Sequence, residues 1–131
     1  MSSDKKCIFC EKSNCKIISS GNHFFIIRDT AYPVTRHHTL IVTNRHISNY
    51  FDLNTDELNE LNQILKKQKK ELTELDNKIS GFNVGINIGK DAGQSIMHCH
   101  IHLIPRRKGD IEDPSGGVRG VIPSKQKYKR K

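Results

Sequence analysis

The apolar positions change period along the chain, and the changes divide it into elements. Residues 16–19 and 23–28, short apolar runs separated by Ser20-Gly21-Asn22, predict a short hairpin. A β-branched run from His37 to Thr43 predicts a third strand leading into Asn44-Arg45-His46. Leu58, Leu61, Ile64, Leu65, Leu72 and Leu75 then recur at steps of three and four within one stretch. That spacing draws one apolar stripe on a helix of about 20 residues. Asn54 with Glu57 three positions on, or Thr55 beside Asp56 and Glu57, supplies its start, and Asn77 to Gly81 its end.

Period two appears in two later segments. Phe82, Val84, Ile86 and Ile88 alternate with Asn83, Gly85 and Asn87, which predicts a strand over 82–88. After the loop Gly89 to Ser95, the run Met97 to Pro105 alternates as well. It sends His98, His100 and His102 to one face and Cys99, Ile101 and Leu103 to the other. Pairing the last two strands with Asn87 opposite His98 would set Gly85 opposite His100 and Asn83 opposite His102. The fold class expected is α+β: an antiparallel sheet of about five strands carrying one long helix.

The chain has 131 residues, about one domain, with no repeat and no linker rich in Pro, Gly or Ser. The longest apolar runs, Phe24–Ile27 and Leu40–Val42, are too short to span a bilayer. No secretory leader is expected from Met1-Ser2-Ser3-Asp4-Lys5-Lys6, so a cytoplasmic address is expected, where thiols stay reduced. Cys7, Cys10, Cys15 and Cys99 are therefore read as thiols or metal ligands rather than disulfides. The formal charge is +8, of which six positive charges lie in the last 13 residues without an acid. The body is then only mildly basic, and a nucleic-acid partner is not expected; the tail reads as a solvated end.

Chemistry concentrates in two places. Successive histidines of a strand stand about 6.5–7 Å apart on one face. A packed, inert explanation is poor, because each neutral ring has one donor and one acceptor to satisfy. Two options stay open on the residues alone: a metal site built on His-x-His, or catalysis by an imidazole nucleophile whose neighbours hold its tautomer. Gly93-Gln94-Ser95 adds amide and hydroxyl donors of the kind that suit phosphate oxygens. The second place is Cys7-Ile8-Phe9-Cys10, a knuckle whose turn presents two thiolates to a tetrahedral ion and needs further ligands from elsewhere.

The stretch from Gly93-Gln94-Ser95 through His98-Cys99-His100-Ile101-His102-Leu103-Ile104 to Pro105-Arg106 resembles the signature of the histidine-triad family. Arg36 to His46 resembles that family's third strand and following turn, and the likeness runs from Cys7 to about Asp110. The domain expected is thus 1–110, with 111–131 a basic extension. The resemblance implies a protomer that dimerises by extending its sheet. It also implies cleavage of nucleotides at the α-phosphate through a nucleotidyl-histidine intermediate, on His100. By the same resemblance His102 bonds the phosphoryl group and His38 supports the site. Asn87, Gln94 and Ser95 fall where the family holds ribose and phosphate and assists the leaving group. Ile26, Asp29 and Ile41 are weaker candidates for contacts to the base or the ribose.

In the zinc-bearing branch the knuckle's partners are the histidine after the third strand and the first of the triad. A structural zinc on Cys7, Cys10, His46 and His98 is implied, with Cys15 and Cys99 as spectators. The ending Leu103 to Arg107 resembles hydrolases of dinucleoside polyphosphates. A phosphoramidase and a nucleotide-binding sensor or scaffold without turnover stand as alternatives. Arg119 and the glycines of the extension either fold back toward a polyphosphate or pad a dimer edge.

Overall fold

The computed structural model describes residues 7–128; residues 1–6 and the last part of the basic tail, 129–131, lie outside them. Five strands and one helix follow the order β1 (Ile17–Ser20), β2 (Phe24–Arg28), β3 (Thr39–Thr43), α1 (Thr55–Leu75), β4 (Ile79–Gly85) and β5 (His100–Arg107). The strands form one sheet in the order β1-β2-β3-β5-β4, and every pair is antiparallel. The expected α+β sheet with one long helix is the observed architecture. Among the described residues no helix is long and apolar enough to cross a membrane.

The central strands are covered on both sides, which explains their unbroken apolar runs. Phe24, Ile26, Ile41 and Ile101 pack with Leu61 of the helix. Phe25, Ile27, Leu40 and Val42 meet Cys7 and Phe9 on the opposite face. The amino-terminal knuckle is thus a second cover for the sheet. The helix begins at a capping box, in which Asn54 accepts from the Glu57 amide and Glu57 accepts from the Asn54 amide. Such a cap contributes about 1 kcal/mol.

The apolar stripe is only partly the buried face. Leu61 and Leu72 are buried, whereas Leu58 and Leu75 are exposed and Glu57 and Gln68 are buried in their place. Both polar residues are satisfied: Glu57 receives two 2.8 Å bonds from Arg45, and Gln68 Oε1 accepts from Arg28 at 2.7 Å.

Three boundaries differ from the sequence expectation. β3 starts at Thr39 because His37 takes a left-handed φ of 71° and turns the chain. β4 runs 79–85 rather than 82–88, anchored by buried Ile79 against Leu72 and Leu103. β5 begins at His100, since Cys99 donates its amide to Ile47 at 2.6 Å and His98 lies before the ladder. The register shifts with them: Gly85 pairs with His102 and Asn83 with Ile104. A slip of two keeps every side chain on its expected face, so the error moves the neighbours of the histidines but not their direction.

Candidate active site and metal centre

β3 and β5 lie side by side, with Val42 paired to His100 and Leu40 to His102. This ladder sets His100 and His102 on the face covered by the knuckle, their ring centroids 5.2 Å apart. His38, just before β3, reaches the same place: its Nε2 lies 2.9 Å from His102 Nδ1. The hydrogen-bond partners assign the protons of all three rings. Val34 donates its amide to His38 Nδ1 at 3.0 Å, so the proton of neutral His38 sits on Nε2 and is donated to His102 Nδ1. His102 must then carry its own proton on Nε2, a buried atom with no partner among the described residues.

His100 is held the other way round. Its Nδ1 donates to the His98 carbonyl at 2.8 Å, which leaves the lone pair on Nε2. Burial lowers the His100 pKa, against a smaller upward pull from that carbonyl. Burial also brings His102 down to about 4, with positive charge on His100 or His38 adding to the shift. The His38 pKa falls for the same first reason, and Asp29 at 3.8 Å from Nδ1 offsets part of it. The cluster is therefore neutral: one nitrogen lone pair at His100 and one N–H donor at His102.

The remaining predicted residues divide. Asn87 is half-buried and lines a cleft beside His102, and Ser95 is exposed in the loop before β5. Gln94 is buried with its amide turned inward. It accepts from the Gly89 amide at 2.9 Å and donates to the carbonyls of Ser48 at 2.9 Å and Ile96 at 3.2 Å. Its hydrogen-bonding groups brace the loop that carries Ser95. Ile26 and Ile41 belong to the helix-side core, away from the histidines, while Asp29 stands at the His38 end.

Cys7, Cys10, His46 and His98 converge, with one ligand atom from each lying within 4.8 Å of all the others. His98 donates Nε2–H to the Thr43 carbonyl at 2.8 Å, which directs its Nδ1 lone pair at the sulfurs. That nitrogen lies 3.3 Å from Cys7 Sγ, 3.6 Å from Cys10 Sγ and 3.2 Å from His46 Nδ1, and Cys10 Sγ is 3.1 Å from His46 Nδ1. Zinc bonds of about 2.0–2.3 Å at tetrahedral angles separate ligand atoms by roughly 3.3–3.8 Å, so this donor set fits the ion. Cys99 is buried against the helix-side core, where desolvation pushes its thiol up to about 11. Cys15 leans on the knuckle, its thiol donating to the Ile8 carbonyl at 3.5 Å.

Sequence reasoning missed the piece that joins the two centres. Phe9, between the knuckle cysteines and 3% exposed, sets its ring 5.8 Å from His98 and 5.1 Å from His100. The one available signal was an aromatic residue inside a C-x2-C turn, where a small or polar residue suffices for the bend.

A five-stranded antiparallel sheet with one long helix, carrying a His-x-His-x-His strand, defines the class. The HIT domain model matches residues 11–109, and the chain belongs to that family. An uncharacterised HIT-like protein of Methanocaldococcus jannaschii is 34% identical over 110 residues, which cover 81% of this chain and 83% of that one. A bis(5'-nucleosyl)-tetraphosphatase (asymmetrical) of Schizosaccharomyces pombe is 33% identical over 62% of this chain, a match spanning 44% of that enzyme. The crystal structure of a zinc-bound histidine triad family protein from Mycobacterium smegmatis superposes with a TM-score of 0.73 at 28% identity, covering 82% of this chain and 80% of the other.

Proposed function

We propose that the protein cleaves nucleoside phosphate anhydrides at the α-phosphorus, with dinucleoside polyphosphates as the substrate class, in two displacements through His100. His100 Nε2 attacks phosphorus, the bond to the leaving phosphate oxygen breaks, and a nucleotidyl-histidine forms. Water then attacks the same phosphorus, the nitrogen–phosphorus bond breaks, and His100 returns as a neutral ring. His102 Nε2–H donates to a phosphoryl oxygen as charge develops there. His38 acts through His102 by fixing its tautomer, and so is a positioning residue. Asn87 and Ser95 contact the substrate from the strand exit and the loop, and Ser95 aids the departing oxygen. Gln94 positions that loop from inside.

The observation that carries this reading is the opposite locking of two adjacent rings. His100 donates Nδ1–H to a backbone carbonyl, while the Nε2–H of His102 is unpartnered among the described residues. A nucleophile and an oxyanion donor arise side by side, both neutral. Zinc on Cys7, Cys10, His46 and His98 would be closed by four protein ligands, so it supplies structure rather than reaction chemistry. It would hold His98, whose carbonyl orients His100.

His100→Ala is expected to abolish turnover of diadenosine tetraphosphate, by more than a thousandfold in kcat, while nucleotide binding persists. Steady-state kinetics with parallel calorimetric titration of AMP checks this; activity within tenfold of wild type would remove His100 from the mechanism. Assay of an adenosine phosphoramidate on the same preparation separates the phosphoramidase alternative, and binding without turnover of either substrate would favour a sensor.

A further inference from the structure

One residue outside the reaction cleft is held in a backbone conformation that its side chain disfavours. His37, with a φ of 71°, is the one non-glycine residue of positive φ among those described. A glycine would take that conformation without strain. The turn serves His38, whose ring it delivers to His102, but that service needs no imidazole at position 37. Strain kept where a glycine would relieve it points to a use for the side chain itself.

His37 lines a depression of about 680 Å³ at the end of β5, together with Val34, Arg36, Leu75, Lys78 and Arg107. That is within the roughly 300–1,000 Å³ usual for small-molecule sites. A second depression of about 430 Å³ adjoins it, sharing Lys78 and Arg107 and adding Lys108. Val34 and Thr35 also border the cleft beside His102, so this segment is the wall between the two places. Thr35 pins the wall by donating its hydroxyl to the Pro105 carbonyl at 2.7 Å.

The acids here are already engaged. Asp76 accepts from Arg107 at 2.9 and 3.1 Å, and Asp110 accepts from Arg106 twice at 2.8 Å. Arg107 Nη2 also donates to the Arg36 carbonyl at 3.1 Å, which ties the loop to the strand end. Arg36, Lys78 and Lys108 have no acidic partner among the described residues. Burial lowers the His37 pKa, and Arg36, Arg107 and Arg28 lower it further, against Asp76. The fields of several cations, from three separate segments of the chain, thus converge on one ring.

We propose that the two depressions form an anion site, outside the reaction cleft, for an oligophosphate chain of two or more phosphoryl groups, with Arg36, His37, Lys78 and Lys108 as its donors. The layout sets the length of the ligand. Cations spread over two adjoining depressions match charges spaced along a chain, whereas a single phosphate would meet only some of them. An inorganic chain and the tail of a nucleoside triphosphate carry the same chemistry.

The probe is sodium tripolyphosphate, titrated into the full chain and followed by the ring resonances of His37 and the amide resonances of Lys78 and Lys108. These are expected to shift together and to saturate, with inorganic phosphate at least tenfold weaker. ATP in a parallel titration separates the two sources: equal or tighter binding assigns the site to a nucleotide tail, weaker binding to an inorganic chain. Lys78→Glu combined with Lys108→Glu is expected to weaken tripolyphosphate at least tenfold, read at His37. His37→Gly, read at Lys78, is expected to raise the melting temperature by relieving the turn, yet to weaken the anion at least threefold. Shifts confined to His100 and His102 would overturn the proposal, as would sulfate binding equally well at matched ionic strength. Wild-type affinity in either variant would overturn it too. None of these readouts involves turnover, so the site and the reaction at His100 stand or fall separately.

Discussion

Burial sets the charge state of the triad, and charge state decides what the rings can do. Water-filled surroundings would leave a histidine half protonated near pH 6.5. Here burial brings His102 to about 4 and lowers His100 and His38 in the same direction. The neutral forms are the working forms, so kcat/KM should stay level as pH falls through 6.5 and decline only well below it. The linkage sign agrees. Between 6.5 and about 4 the unfolded chain binds the proton that folded His102 refuses, so folded stability falls as pH falls across that window. A pH–rate profile with melting temperatures at matched pH checks both; an acid limb at or above 6.5 would show that the rings are not desolvated as described. Which histidines share a face was legible from alternation alone. Their tautomers were not, because they depend on the Val34 amide and the His98 carbonyl. Nor was the Phe9 contact to His100, which needs the knuckle and β5 brought together across the whole chain.

At the level of elements, the knuckle does for one face of the sheet what the helix does for the other. Its apolar members, Cys7 and Phe9, bury Phe25, Leu40 and Val42, and its sulfurs tie that cover to His98 at the entrance to β5. Replacing Cys7 and Cys10 together with serine should remove the metal, which elemental analysis should find at about one zinc per chain in wild type. The melting temperature should drop by several degrees, since metal binding is coupled to folding. Activity should fall through a loosened His100, not through lost metal chemistry. Activity that tracked added zinc while the melting curve stayed fixed would overturn the structural role. The elements themselves were visible in the sequence, the helix most clearly through its stripe and capping box. The β4 register was not. Its anchor, Ile79, lies inside the helix stop signal, and its packing against Leu72 and Leu103 is tertiary.

Across the whole molecule, β1 and β4 are the sheet's free edges, and β4 lies next to the proposed reaction strand. Pairing β4 with its counterpart in a second copy would cover one such edge and continue the sheet. One chain is 15.0 kDa, so sedimentation should report about 30 kDa at micromolar concentration. A 15 kDa species there would rule the dimer out. In the sequence the extension showed its charge, its glycines and Arg119, but not where they fold. Its fold depends on Gly116 and on one arginine capturing two carbonyls, features that carry no periodicity. The central claim is that reaction passes through a covalent bond to one named nitrogen. It is tested most directly by quenching wild type during turnover of diadenosine tetraphosphate labelled at the α-phosphorus and mapping the labelled peptide. The account predicts a nucleotidyl group on His100, formed and discharged at rates compatible with turnover. Product formation with no label on any histidine, or with the label on His102 or His38 instead, would contradict it.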